Sequence, residues 1–191
     1  MDIRSQSIPD VLVVEPNFHR DQRGYFVETF RQDKLEKALG YKVKFIQDNE
    51  SESQRGVLRG LHFQRGPHAQ SKLIRVIEGA VLDVAVDIRK GSPCFGKHVA
   101  IELSSANKKQ MFIPRGFAHG FVVLTDRAIV SYKVDNYYSP EHDGGLAFDD
   151  EQLNIDWRVA TSELILSDKD SKQPRLSSKS EGFDFNLDGY E

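Results

Sequence analysis

Residues 72–88 read KLIRVIEGAVLDVAVDI, and this stretch carries the clearest strand pattern in the chain. KLIRVI forms one strand, VLDVAVDI forms the next, and Glu78-Gly79 supplies the turn between them. Alternate residues of the second strand fall on two faces, one with Leu82, Val84, Val86 and Ile88, the other with Val81, Asp83, Ala85 and Asp87.

The segments on both sides continue this pattern of short strands. VAIEL from Val99, MFI from Met111, and the later GFVVL and AIVSYKV are bounded by Gly, Pro or Asp residues. One helix is indicated by DKLEKALG, from Asp33 to Gly40, in which the terminal glycine takes the C-cap position. Many short strands separated by such turns predict an all-β domain, either a barrel or a jelly roll.

Length and composition exclude several classes of protein. The 191 residues suffice for one full-sized core, so we predict a single domain over 1–191 with a polar C-terminal tail from about residue 171. The 29 acidic side chains outnumber the 26 basic ones, which disfavours nucleic-acid binding. Because Cys94 stands alone, the N-terminus lacks a signal-peptide pattern and apolar runs are short, we expect a cytoplasmic protein without a membrane partner.

Two clusters of polar side chains could carry chemistry. GVLRGLHFQRGPHAQSKLIRVIEG, from Gly56, contains Arg59, His62 and Lys72, and IPRGFAHGFVVL places His119 shortly after a Pro-x-Gly turn. The two clusters have the layout of the two cupin motifs, which line the mouth of a small β-barrel. Strict alternation would put Arg59 on the face opposite His62, although the neighbouring glycines allow a bulge that changes this.

A metal site is one alternative for these clusters. A metal-binding cupin would show His-x-His with a following Glu in its first motif, whereas here Gln64 replaces the second histidine. Lys72 puts a cation where an anionic ligand is needed, and an ammonium group repels a metal ion. We therefore predict no metal site and keep a metal-dependent cupin as the weakest alternative.

A cation beside a histidine suits the removal of a proton next to a ketone. Such a reaction needs a base, a positive neighbour for the enolate oxygen and, for inversion, an acid on the opposite face. His62 is the candidate base, Lys72 or Arg59 the enolate or phosphate partner, and Tyr132 the candidate acid. The structural alternatives stay open: His62 as a hydrogen-bonded strand residue, and Tyr132 as a core aromatic that alternates with valines.

Six sequence blocks occur in one order between Ile8 and Asp170. They are DQRGYFVETF, QDNESES, GVLRGLHFQ, LDVAVDIRKGSPCFGKH, IPRGFAHGF and SYKVDNYYSP. Together they resemble the dTDP-4-dehydrorhamnose 3,5-epimerase family. The resemblance implies a cupin-type jelly roll with a few short peripheral helices, acting as a homodimer without metal or cofactor. Its substrate would be dTDP-4-dehydro-6-deoxy-D-glucose, inverted at C3 and C5 to dTDP-4-dehydro-L-rhamnose for dTDP-L-rhamnose biosynthesis.

The resemblance also implies roles for individual residues. His62 would be the general base, Asp170 of the late S-x-K-D motif its partner, and Tyr132 the acid on the opposite face. Lys72 would meet the 4-keto oxygen as it becomes an enolate. Binding of the sugar or the nucleotide is implied for Arg23, Phe26, Glu28, Gln47, Asn49, Arg59, His119, Tyr138, Asp143 and Lys169.

Two features of this carry-over bear on the site. The N-terminal strand residues of the family serve a site shared between subunits, so dimerisation would form part of the active site. Position 143 is expected to be Glu about as readily as Asp, and the shorter side chain here changes the reach of that contact.

Two further readings remain at this point. Related enzymes epimerise only C3 or only C5 with the same histidine, lysine and tyrosine. A cupin of this kind could also bind a sugar nucleotide without turning it over, since fold does not determine function.

Overall fold

The computed structural model describes residues 1–177 and 183–185; residues 178–182 and 186–191 of the predicted tail lie outside the description. The helix is α1, Gln32–Leu39, and single 3-10 turns lie at Pro140–His142, Thr161–Glu163 and Asp170–Lys172. The strands are β1 Asp2–Ser5, β2 Leu12–Glu15, β3 Phe18–Asp21, β4 Gly24–Val27, β5 Gln47–Gln54, β6 Leu58–Gln64, β7 Lys72–Glu78, β8 Ala80–Asp87, β9 His98–Ser104, β10 Gln110–Ile113, β11 Phe117–Val123, β12 Arg127–Val134 and β13 Asp143–Gly145.

Two antiparallel sheets make up the body of the fold. One has the strand order β1-β2-β10-β7-β12-β5 and the other β13-β6-β11-β8-β9, while β3 and β4 form a separate hairpin. Apolar side chains from β7, β10 and β12 of the first sheet meet those from β8, β9 and β11 of the second in one buried cluster. The predicted jelly roll is therefore confirmed.

The stretch from 72 to 88 forms the two predicted strands, β7 and β8. Gly79 makes the turn between them with a φ of 76°, a value that favours glycine. The turn carries the chain from one sheet to the other, since β7 pairs with β10 and β12 whereas β8 pairs with β9 and β11. A single turn thus fixes the two inner faces of the jelly roll against each other.

Both faces of β8 are buried. Val81 and Ala85 face the core between the sheets, while Leu82, Val84 and Val86 lie in a second apolar layer. The second layer is closed by the chain after β13, which contributes Leu146, Leu153, Trp157, Leu176 and Phe183. The part of the chain that follows β13 therefore covers the outer face of the five-stranded sheet.

Part of the predicted tail belongs to this cover. Phe183 is buried, and its carbonyl accepts a hydrogen bond of 2.7 Å from the backbone N–H of Lys90. The backbone N–H of Phe185 donates to the Lys90 carbonyl at 2.9 Å, and the Arg89 guanidinium lies over the Phe185 ring. Residues 183–185 are consequently held against the loop that follows β8.

The single helix covers the opposite side of the molecule. It runs from Gln32 to Leu39 and ends at Gly40, which has a φ of 79° and donates its backbone N–H to the Glu36 carbonyl. Leu35 buries its side chain against Leu12, Val14, Leu73 and Phe112 on the outer face of the six-stranded sheet. The predicted helix and its glycine cap are confirmed. Within the described part of the chain, no helix has the length and apolar character needed to span a membrane.

Candidate active site

A bulge between β6 and β11 shapes the mouth of the jelly roll. His62 pairs with His119, but the next pair is Arg59 with Phe121, so three steps along β6 match two along β11. The bulge turns Arg59 and His62 toward the same cavity. Strict alternation, which would put these two side chains on opposite faces, is therefore wrong at this point.

Glycine is required where the two strands approach each other at this bulge. Gly60 has a φ of +130°, a conformation that L side chains rarely adopt. A Cβ atom added to Gly60 would lie only 2.5 Å from the Gly120 Cα. The glycines in GLHFQ and AHGF are therefore needed here because the two backbones pass so close together.

Two adjoining cavities open at this end of the jelly roll. The first has a volume of about 430 Å³ and the second about 360 Å³. They share the side chains of His62, Lys72, Tyr132 and Lys169. The first also contains Ser51, Arg59, His119, Ser167 and Asp170, whereas the second contains Gln47, Asn49, Gln64, Gln70, Tyr138 and Asp143. Eleven of the fourteen site residues predicted from the sequence thus lie around one cleft.

His62 is paired with Asp170 across a long sequence separation. The His62 Nε2 and the Asp170 Oδ1 are 2.5 Å apart, and the Asp170 residue is only 4% exposed. Burial raises the pKa of Asp170, but the hydrogen bond and charge of His62, with help from Ser167, outweigh it and lower the pKa below its usual value. An ionised Asp170 that accepts from Nε2–H leaves Nδ1 as the acceptor nitrogen of His62.

A second histidine–aspartate pair lies deeper in the site. His119 Nε2 is 2.7 Å from Asp83 Oδ1, and both residues are buried. Burial lowers the pKa of His119, and the opposing effect of Asp83 does not cancel it. His119 is therefore neutral at physiological pH. The other oxygen of Asp83, Oδ2, has no hydrogen-bond partner among the described residues.

Lys72 places a cation in the same cleft. Its residue is 9% exposed, and burial lowers its pKa from 10.5 to about 8, while the charges of Asp83 and Asp143 act in the opposite direction. Most of the Lys72 side chains therefore keep their proton at neutral pH. A desolvated ammonium group is a strong stabiliser of a developing oxyanion.

Tyr132 faces the cleft from the other sheet. It lies on β12 of the six-stranded sheet, whereas His62 lies on β6 of the five-stranded sheet. One side of the residue packs against the central core, as the structural alternative expects. The other side lines the cavity. Burial raises the pKa of Tyr132 although Arg59 opposes this, so the phenol is protonated at neutral pH.

Hydrogen bonds organise the second cavity. Gln47 donates from Nε2 to Asn49 Oδ1 at 2.9 Å, and its Oε1 accepts from the backbone N–H of Tyr138 at 3.4 Å. Asp143 forms an ion pair with Lys169. This part of the cleft therefore presents amides, an exposed aromatic ring and a cation, a set that suits a nucleotide.

A sequence model of dTDP-4-dehydrorhamnose 3,5-epimerases matches residues 5–178. The chain belongs to this epimerase family. The matched range includes both histidine–aspartate pairs and all of the cleft.

Individual members of the epimerase family are closely similar. The dTDP-4-dehydrorhamnose 3,5-epimerase of Escherichia coli (strain K12) is 55% identical over 172 residues, which cover 90% of this chain and 92% of that protein. The crystal structure of the enzyme from Elizabethkingia anophelis superimposes with a TM-score of 0.90 at 47% identity, covering 94% and 98% of the two chains. The enzyme from Legionella pneumophila, solved with dTDP-4-keto-L-rhamnose, gives a TM-score of 0.86 at 43% identity, covering 92% and 98%.

Three residues predicted from the epimerase resemblance lie away from the cleft of this chain. Arg23 and Phe26 belong to the β3–β4 hairpin and its turn, and Glu28 follows it. Arg23 pairs with Asp21, Glu28 lies near Arg31 and Lys34, and Phe26 is 72% exposed. The fold of a single chain does not bring these three residues to the other eleven.

Two residues at the cleft, Asp83 and Gln64, were not predicted from the sequence as site residues. Asp83 was assigned only to a strand face, and its alternation with Val81 and Ala85 could have marked it as a buried acid. Gln64 was treated only as a missing metal ligand, although it lies in the cleft. Among the described residues, no group of three or more His, Cys, Asp or Glu side chains could hold a metal ion. Independence from metal stays a prediction.

Proposed function

We propose that the protein converts dTDP-4-dehydro-6-deoxy-D-glucose to dTDP-4-dehydro-L-rhamnose by epimerisation at C3 and C5, within dTDP-L-rhamnose biosynthesis. The observation that carries the proposal is the composition of the cleft: a paired histidine on one sheet, a protonated tyrosine on the other, and a buried lysine with them. Family membership supports the same substrate class and makes the enzyme an isomerase.

The reaction begins with proton abstraction next to the ketone. His62 Nδ1 takes the proton from the carbon, the C–H electron pair forms a carbon–carbon double bond to C4, and the carbonyl π electrons move to the C4 oxygen. Lys72 donates a hydrogen bond to this enolate oxygen and neutralises its charge. Asp170 keeps the imidazole oriented and stabilises its protonated form.

Inversion follows when the proton returns on the other face. The enolate electrons collapse back to the carbonyl, and the double-bond carbon takes a proton from the Tyr132 phenol. His62 then releases its proton to solvent and Tyr132 regains one, so that no electrons are gained or lost. One base and one acid can serve both carbons, because the C3 and C5 hydrogens of a gluco-configured ring lie on the same face.

The homodimer is part of the proposal because the β3–β4 hairpin has an unusual surface. Phe18, Tyr25 and Phe26 are all exposed on this small two-stranded unit. We propose that the hairpin packs on a second copy and delivers Arg23, Phe26 and Glu28 to the partner's cleft. An aromatic ring and an arginine would then contact the base and the diphosphate.

A mixing experiment tests this shared site. His62→Ala and Phe26→Ala variants, each inactive alone, are expected to regain activity when their subunits are exchanged, because one cleft of the mixed dimer then has both residues. Analytical ultracentrifugation of each variant checks that both remain dimers. Failure to recover activity in verified mixed dimers would show that Phe26 acts on its own subunit.

An NMR time course in deuterated water, without added metal, tests the reaction itself. Deuterium at both C3 and C5 with an L-configured product is expected. Label at one carbon only would identify a mono-epimerase, and no label in protein that binds dTDP would leave a binding module. Tyr132→Phe is expected to exchange substrate protons while forming little inverted product, because abstraction survives the loss of the acid.

Location and domain structure are also proposals. We infer that the protein acts in the cytoplasm. We also infer that it has no nucleic-acid partner, which its net charge of -3 supports. Cell fractionation tests the first point. A single domain over 1–191 is expected to give one cooperative unfolding transition, which calorimetry measures.

A further inference from the structure

Gln64 is a buried amide with a hydrogen bond at each end. It lies at the end of β6, directly opposite Asp143 of β13, and is 4% exposed. Its Oε1 accepts from the backbone N–H of Ser139 at 2.8 Å, and its Nε2 donates to Asp143 Oδ1 at 3.2 Å. The backbone N–H can only donate, so the orientation of the amide is fixed and its NH₂ group must face the carboxylate.

Asp143 is therefore engaged on both of its oxygens. Oδ1 accepts from Gln64, Oδ2 is paired with Lys169, and the Asp143 carbonyl accepts from Arg65 at 2.9 Å. The hydrogen bond and charge of Asp143 outweigh the effect of burial on Lys169 and raise the pKa of the ammonium group. Lys169 is thus held as a cation at a fixed place in the cleft.

Charge decides which of these groups meets the ligand. A carboxylate opposes the diphosphate of a sugar nucleotide, whereas an ammonium group attracts it. Lys169 borders both cavities and its side chain is about half exposed, which leaves it accessible to a ligand that fills the cleft. Asp143 is more enclosed, and its oxygens are already occupied.

We propose that Gln64 and Asp143 are positioning residues that act through Lys169 on the diphosphate of the bound nucleotide. The amide fixes the carboxylate, and the carboxylate fixes the cation. Gln64 also holds the Ser139 peptide, next to Tyr138, so one side chain secures two parts of the nucleotide end. This inference rests on the proposed function for the identity of the ligand.

Gln64→Met is the main test, because methionine has a similar length and no hydrogen-bonding amide. The dissociation constant for dTDP, measured by calorimetry, is expected to rise about tenfold, as for one lost charge-assisted hydrogen bond. The kcat is expected to change less than about threefold, since His62 and Tyr132 are untouched. The remaining dTDP affinity should also depend less on salt, because one ionic contact is weakened.

Coupling to Lys169 separates this role from general support of the fold. In a Lys169→Met background, Gln64→Met is expected to have little further effect on dTDP affinity, because both act on the same cation. Asn136→Ala is the matched control: Asn136 Nδ2 donates to the Pro67 carbonyl at 3.0 Å and so joins the segment after β6 to the segment before Ser139, but it is not bonded to Asp143. It is expected to leave the salt dependence unchanged.

The opposite results would overturn the proposal. One is that Gln64→Met and Lys169→Met have additive effects on dTDP affinity. The other is that Gln64→Met lowers kcat and leaves dTDP affinity unchanged. If Gln64→Met does not fold, Gln64→Glu is the substitute test. The glutamate keeps the acceptor for the Ser139 N–H but places a second carboxylate against Asp143. This variant is also expected to bind dTDP more weakly and with a smaller salt dependence than the wild type. Because dTDP binding is measured without turnover, an inactive wild type would refute the proposed catalysis and leave this test intact.

Discussion

The two histidine–aspartate pairs of the cleft consist of the same residue types in different surroundings. The His62 side chain is 32% exposed, whereas that of His119 is 8% exposed. Asp170 carries a lowered pKa beside His62, while burial lowers the pKa of His119 beside Asp83. The first pair is open to a ligand and can exchange protons with solvent, and the second is enclosed and keeps a neutral ring.

This difference shows that access, more than pairing, assigns the roles. A general base must reach the carbon-bound proton and later release it, and the more exposed His62 is therefore the base that we propose. The enclosed pair instead places the charge of Asp83 near Lys72, where it raises the lysine pKa against the effect of burial. The following experiments test that division of labour, beginning with the largest expected effect.

His62→Ala is expected to lower kcat about 10³-fold, because the base is removed while the rest of the cleft remains. His119→Gln, which keeps an N–H donor for Asp83, is expected to lower kcat only about tenfold. Deuterium uptake at C3 and C5 measures both. Retained binding of dTDP shows that each variant is folded. Equal losses in the two variants would contradict the distinction between the pairs.

Asp170→Asn is expected to lower kcat about 10²-fold. The amide would present an NH₂ group or a neutral acceptor to His62, which disturbs the tautomer and removes the charge that stabilises the imidazolium. The KM for the sugar nucleotide should change little, because Asp170 contacts the histidine. A large rise in KM with unchanged kcat would instead place Asp170 in substrate binding.

Asp83→Asn is expected to move the alkaline limb of the kcat profile to lower pH. In the wild type, activity should fall as pH rises through about 8, because Lys72 then loses its proton. Asp83 raises the Lys72 pKa, so its neutralisation lets deprotonation begin earlier and lowers kcat about tenfold at pH 8. Asp48→Asn, an exposed carboxylate paired with Lys133, is the control and should leave the limb in place.

Metal removal is expected to have the smallest effect. Lys72 places a cation beside His62 and His119, where a bound metal ion would be repelled. Dialysis against a chelator followed by the deuterium assay should therefore leave the rate unchanged. Recovery of lost activity on adding a divalent metal would contradict the metal-free proton transfer assigned to His62.

The sequence predicted the strands β7 to β12, the turn at Gly79 and the helix capped by Gly40, because each depends on local periodicity and backbone freedom. Strand alternation alone could not place Arg59 and His62 in one cavity, since the bulge depends on how closely Gly60 approaches Gly120. The partners of His119 and Gln64 come from other strands, Asp83 of β8 and Asp143 of β13. Such pairings follow from tertiary packing and leave no local pattern.

The buried lysine also has a chemical consequence. With a pKa of about 8, about half of the Lys72 amines are unprotonated at pH 8, compared with well under about 1% for an ordinary lysine. A free amine is a nucleophile, so small acylating or aldehyde reagents should modify Lys72 ahead of the surface lysines. Protection by a bound nucleotide sugar would then turn the same reaction into a covalent footprint of cleft occupancy.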